Sequence, residues 1–149
     1  MHKINFLKYL EFEKRYSKHT ILSYSTDLTQ FLLFILKEYK ISDISEVNHH
    51  IIRSWIASLI ENKISTRTVN RKITTLKSFF KYLLQEDTVQ ENPTQKVISP
   101  KNQKKLPIFI EKSKMIELLS DIEFPDSMQG ERDKLIIDVF YMTGMRLSE

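Results

Sequence analysis

Apolar residues recur at three- and four-residue spacing along four stretches of the first 90 residues, a period that predicts amphipathic α-helices. The first stretch runs from Asn5 to about Arg15, with Phe6, Leu7 and Leu10 on its apolar side. Ser17 is suited to cap a second helix reaching about Tyr39, whose apolar face is Leu28, Phe31, Leu32, Ile35, Leu36 and Tyr39. A loop from Lys40 to Glu46 leads to a third helix, roughly Val47 to Asn62, carrying Ile51, Ile52, Trp55, Ile56, Leu59 and Ile60. The fourth helix starts at Ser65 or Thr66 and runs to about Glu86, about 33 Å of rod. None of these stretches contains glycine, as helix interiors prefer. The expected fold class is all-α, opening with a four-helix bundle joined by short connections.

Asn92-Pro93 ends the fourth helix, because proline pushes the residue before it out of helical geometry. The next stretch, KVISPKNQKKLP, has no helical period. The expected organisation is a helical domain over 1–95, a linker over 96–107 and the start of a second domain over 108–149. Two helices are expected in that second part, around Lys112–Leu119 and around Arg132–Met142. The latter is expected to bury Leu135, Ile136, Val139 and Phe140. Thr143-Gly144 then breaks the chain, and Met145 to Glu149 reads as the beginning of another helix. Two helices in some 43 residues do not make a complete hydrophobic core.

Composition narrows the chemistry. The 149 residues hold no cysteine, which excludes disulfide scaffolds, thiolate metal sites and a cysteine nucleophile. The longest apolar run, Phe31 to Leu36, is too short to span a bilayer, and acidic residues appear before any signal-like apolar core forms. The chain is therefore read as soluble and cytoplasmic, with no membrane partner. His49 and His50 are adjacent and point in different directions on a helix, so no metal or cofactor site is expected.

The net charge of +4 is mild, and its distribution carries more information. Residues 1–105 hold a net +8, including four lysines and no acid in 96–105, whereas residues 106–149 hold a net −4. Such asymmetry points to a polyanionic partner for the first part. In the fourth helix, Val69, Ile73, Leu76, Phe80, Leu83 and Leu84 share one side. Arg67, Arg71, Thr74, Ser78 and Lys81 take the other, with Thr66 at its start and Asn70 and Thr75 flanking. An ordinary solvent face mixes Glu with Lys. This one sets Arg beside short hydroxyl and amide side chains, which let a helix approach a groove, contact phosphates and read base edges. A second candidate is the SKHT turn, where Lys18, His19 and Thr20 add donors to a helix N-terminus. Lys101, Lys104 and Lys105 in the linker complete the set.

The segment ERDKLIIDVFYMTGMRLSE resembles the opening helices of the catalytic domain of tyrosine recombinases, of the phage-integrase group and its Xer-like members. SKHTILSYSTDLTQFLLF, STRTVNRKITTLKSFFKYLLQE and ENPTQKVISPKNQKKLP are similar to that family's second core-binding helix, its DNA-facing fourth helix and its interdomain linker. The resemblance implies a SAM-like core-binding bundle and site-specific DNA strand exchange through a phosphotyrosyl intermediate. Double-stranded DNA and further recombinase subunits, in a homo- or hetero-tetramer, would be the partners. It also implies that Arg146 sits against the scissile phosphate, with Glu149 supporting it. The family's remaining groups, a lysine, a His-x-x-Arg pair and the nucleophilic tyrosine, have no counterpart in these residues. The expected activity of the chain alone is thus DNA binding without cleavage, as the N-terminal part of a recombinase. The alternative is a helical protein-interaction module.

Overall fold

A computed structural model of the chain describes residues 2–102, 106 and 109–148, apart from the side chain of Leu118. The described residues form helices α1 (His2–Phe12), α2 (Lys18–Tyr39), α3 (His49–Glu61), α4 (Thr66–Gln85), α5 (Lys112–Asp121) and α6 (Met128–Thr143). Single 3-10 turns lie at Ile44–Glu46 and Pro93–Lys96, and no strand occurs among the described residues. The chain divides into two compact units, Met1–Lys104 and Lys105–Glu149.

The boundaries follow from capping chemistry. Ser17 caps α2 and Ser65 caps α4, each accepting a hydrogen bond from the backbone N–H three residues on. In each cap the serine hydroxyl also bonds a threonine hydroxyl, Thr20 at 2.9 Å and Thr68 at 3.0 Å. Asn48 caps α3 with bonds from the N–H groups of His50 and Ile51. Helix α1 ends earlier than its periodicity predicts. Glu13 and Lys14 both donate to the Tyr9 carbonyl, and Arg15 turns the chain with φ of 53°.

In the first unit α4 is the central rod, packed against α1, α2, α3 and the second 3-10 turn. Phe6, Leu28, Phe31, Ile35, Ile52, Trp55, Val69, Ile73, Leu76, Phe80 and Leu83 form the core. Phe31 meets Trp55 edge-on, with ring centroids 5.0 Å apart. Because neighbours wrap it on three sides, α4 also buries Lys72, Thr75, Phe79 and Tyr82. Thr75 and Tyr82 lie about 120° and 140° round the helix from Val69, so the buried arc is wider than the apolar pattern predicted. Conversely Leu36, Tyr39, Ile60 and Leu84, all predicted on apolar faces, are exposed at the ends of their helices.

The first unit also extends beyond residue 95. Val97 is buried in its core, and Arg53 donates to the Lys96 carbonyl at 2.9 Å. Asn70 Nδ2 donates to the Pro100 carbonyl at 2.8 Å and to Asn102 Oδ1 at 3.1 Å. The segment predicted as free linker is thus fastened to α3 and α4 over its first half.

The second unit has little interior. Leu135, Ile136 and Val139, predicted to be buried, are 63, 45 and 39% exposed, and Phe140 is half-buried. Two helices alone cannot cover each other on more than one side. Gly130 is buried where a Cβ would stand 1.9 Å from the Pro125 carbonyl oxygen, so the turn into α6 admits no side chain. Gly144 closes α6 in the left-handed region at φ 65°, its N–H bonded to the Phe140 carbonyl. The helix predicted to begin at Met145 does not form over the described residues 145–148.

Candidate nucleic-acid interface

The outer face of α4 presents Arg67, Thr74, Lys77 and Lys81 to solvent, with Thr66 exposed at its start and Ser78 half-buried. Thr74 returns its hydroxyl to the Asn70 carbonyl at 3.0 Å, which keeps the side chain short and close to the rod. Among the described residues no carboxylate pairs with Arg67, Lys77 or Lys81. Sequence reasoning passed over Lys77, although its spacing of three from Thr74 and four from Lys81 puts it on the same stripe.

Three of the predicted members behave differently. Thr75 is fully buried and donates to Asp27 Oδ2 at 3.0 Å, so it cannot touch a ligand at the surface. Its place on the wheel falls under α2. Asn70 is half-buried and spends its Nδ2 on the 100–102 segment, while its Oδ1 is buried without a partner among the described residues. Arg71 reaches the surface but is not unpaired. Its Nη1 and Nη2 grip both oxygens of Asp27, at 2.6 and 2.9 Å, and Nη1 also donates to Ser23 Oγ.

Asp27 itself was missed. It is wholly buried, yet a carboxylate so placed is stable only when compensated. Compensation comes from four donors: two N–H groups of Arg71, the Lys72 ammonium at 2.8 Å and the Thr75 hydroxyl. Lys72 also donates to Gln30 Oε1 and lies 5.9 Å from the centre of the Trp55 ring. The signal was in the sequence: Asp27 stands four residues before Phe31 and eight before Ile35, in phase with the apolar stripe of α2.

At the start of α2, Lys18 and His19 are exposed, and Thr20 is engaged in the Ser17 cap. Lys101 is exposed, whereas Lys104, Lys105 and Glu149 lie outside the described residues. Arg146 is exposed two residues past the Gly144 turn. On α3, the His49 and His50 rings, expected to point in different directions, instead lie close together, tilted at 36° with centroids 4.0 Å apart. Desolvation, and then the charges of His50, Arg53 and Lys96, hold the His49 imidazole below its ordinary pKa of 6.5. No group of three or more His, Asp or Glu among the described residues is placed to hold a metal ion, and no described helix is long and apolar enough to cross a membrane.

An all-helical unit around a central basic rod matches what comparison with known proteins finds. The family described as phage integrase, N-terminal SAM-like domain, matches residues 4–87, more than half of the chain. The chain belongs to the phage integrase family. Within that family it is similar to the tyrosine recombinase XerC of Bacillus subtilis (strain 168), with 37% identity over 146 residues, 97% of this chain and 47% of the relative. It is 35% identical over 144 residues to tyrosine recombinase XerC of Anoxybacillus flavithermus (strain DSM 21510 / WK1), again 97% of this chain and 47% of the relative. Tyrosine recombinase XerC of Staphylococcus saprophyticus is 34% identical over 144 residues, 97% of this chain and 48% of its own. This integrase-family chain therefore spans about half the length of the curated relatives it matches.

Proposed function

We propose that the chain binds double-stranded DNA through the outer face of α4, as the DNA-holding part of a cytoplasmic site-specific tyrosine recombinase. One observation carries this reading: Arg67, Lys77 and Lys81 stand in a row on one exposed helix side with no described carboxylate to neutralise them. A duplex supplies the missing negative charge, and phosphate contacts release its counterions. Thr66 and Ser78 add hydroxyl groups along the row, Thr74, its own hydroxyl turned back to the Asn70 carbonyl, keeps it low, and Lys18, His19 and Lys101 are further exposed basic side chains of the same unit. The names of the relatives support the assignment to recombination, with further recombinase subunits as partners on DNA.

Arg146 has the chemistry for the reaction rather than for holding the duplex. A guanidinium fork against the scissile phosphate would neutralise charge developing on non-bridging oxygens. Gly144 ends α6, so that Arg146 stands outside the helix, two residues beyond it and exposed.

Fluorescence anisotropy with a labelled mixed-sequence duplex of about 30 base pairs, titrated between about 50 and 200 mM salt, tests the binding. With roughly five phosphates contacted, the log–log salt slope should be about −4 to −5. Replacing Arg67 and Lys81 together by Ala should weaken binding and flatten the slope by about 2. An unchanged affinity and slope rejects this face of α4.

A further inference from the structure

We propose that Asp27 is a positioning residue for DNA binding, which holds the Arg71 guanidinium so that its outer edge is presented to a phosphate of the duplex. The inference rests on the DNA-binding reading above and names a residue that itself never reaches the DNA.

The argument starts from charge. Asp27 is 0% exposed and its ion pair with Lys72, which is 6% exposed, would by itself neutralise the buried carboxylate. Arg71 is a second cation on the same anion, and its side chain is 44% exposed. The network therefore carries one positive charge more than its interior needs, and the surplus lies on the surface member.

Geometry says how that surplus is displayed. A guanidinium has five N–H donors fixed in one plane. Arg71 uses both Nη1 donors, on Asp27 and Ser23, and one Nη2 donor, on Asp27. The two left over, on Nε and Nη2, have no partner among the described residues. These two form a single edge of the plane, the two-pronged fork that matches a phosphate. Arg71 also lies in line with Arg67 and Thr74, four residues before it and three after it on the exposed row. Ser23 and Asp27 are one turn apart on α2 and clasp the guanidinium from the same helix. An arginine held in this way has little rotamer freedom left to lose when a phosphate arrives, which raises affinity without a new contact.

A thermodynamic cycle on the full chain separates this role from a structural one. The probe is the same labelled duplex, and the fluorescence of Trp55, the single tryptophan, reports whether each variant is folded. Asp27→Asn keeps the shape and removes the charge. It should weaken binding by about two- to tenfold when Arg71 is present, and change nothing in an Arg71→Ala background. Equal weakening in both backgrounds would mean that Asp27 serves only the fold. Tightening in both would mean that its carboxylate merely repels the duplex. Either result overturns the proposal while leaving DNA binding by α4 intact. Absence of binding by the unaltered chain overturns the DNA reading itself. If Asp27→Asn does not fold, Ser23→Ala decides in its place: a smaller weakening that disappears with Arg71→Ala supports the clasp, and an effect independent of Arg71 rejects it.

Discussion

Replacing Asp27 by Ala should be among the most damaging single changes in the first unit, and the structure says which partner makes it so. Three side chains lose the carboxylate at once. Arg71 is 44% exposed and can turn to water, so its loss costs little. Thr75 keeps a second acceptor, the Arg71 carbonyl at 3.3 Å. Lys72 has no such escape: it is 6% exposed and retains only Gln30 as a hydrogen-bond partner beside the Trp55 ring. Breaking a buried ion pair from one side costs about 3–5 kcal/mol. Domains of this size hold about 5–15 kcal/mol in all, so a large share of the stability should disappear. Urea unfolding followed by Trp55 fluorescence reads this directly, with the midpoint falling by more than about 1 M at an unchanged slope. The order of three variants is the sharper test. Asp27→Ala should cost most. Lys72→Met should cost less, because Arg71 and Thr75 still hold the carboxylate. Arg71→Ala should cost least, about 1 kcal/mol or under. A loss below about 1 kcal/mol for Asp27→Ala, or Arg71→Ala as the worst of the three, refutes the claim that Lys72 and Asp27 form the buried pair.

Ser65→Ala removes the acceptor for the Thr68 N–H and should cost about 1 kcal/mol, measured in the same urea titration; no loss would mean the cap is not formed in solution. In an NMR titration His49 should release its proton below pH 6.5, since desolvation and the charges of His50, Arg53 and Lys96 disfavour the imidazolium. The folded chain then binds that proton less readily than the unfolded one, so the contribution of His49 to stability is complete above pH 6.5 and is lost as pH falls through its folded value. A midpoint at or above 6.5 contradicts the cluster.

The four helices of the first unit were legible because each carries a strong apolar period and a polar cap. Ser17 and Ser65 mark the starts of α2 and α4 in the sequence as they do in the structure. The all-α class followed from the same patterns, and the integrase resemblance from particular segments, ERDKLIIDVFYMTGMRLSE and STRTVNRKITTLKSFFKYLLQE among them. Two things were not legible. The width of the buried arc on α4 depends on how many helices surround it, which periodicity does not encode, and so Thr75 was read as flanking the outer stripe. The anchoring of residues 96–102 depends on Asn70, whose amide could equally read a base edge or hold a neighbouring strand of chain. A third feature was written in the sequence and overlooked. Asp27 and Lys72 occupy apolar-phase positions on α2 and α4, and two opposite charges in two facing stripes are the signature of a buried pair.

Arg71 and Lys72 are neighbours in sequence and about 100° apart on the rod, so one carboxylate at the seam between α2 and α4 can reach both. That placement couples folding to recognition. Lys72 needs Asp27 in order to be buried at all, whereas Arg71 needs it only to be still. A substitution at Asp27 therefore produces two losses that a single assay cannot tell apart, a less stable bundle and a looser guanidinium. Arg71→Ala produces mainly one of them. If the seam works as its geometry indicates, Arg71→Ala should leave the urea midpoint close to that of the unaltered chain while weakening DNA binding. Lys72→Met should do the reverse, lowering the midpoint while leaving the affinity of the folded fraction nearly unchanged. The opposite pairing of effects would mean that the adjacent cations have exchanged roles, with Lys72 facing the duplex and Arg71 holding the core.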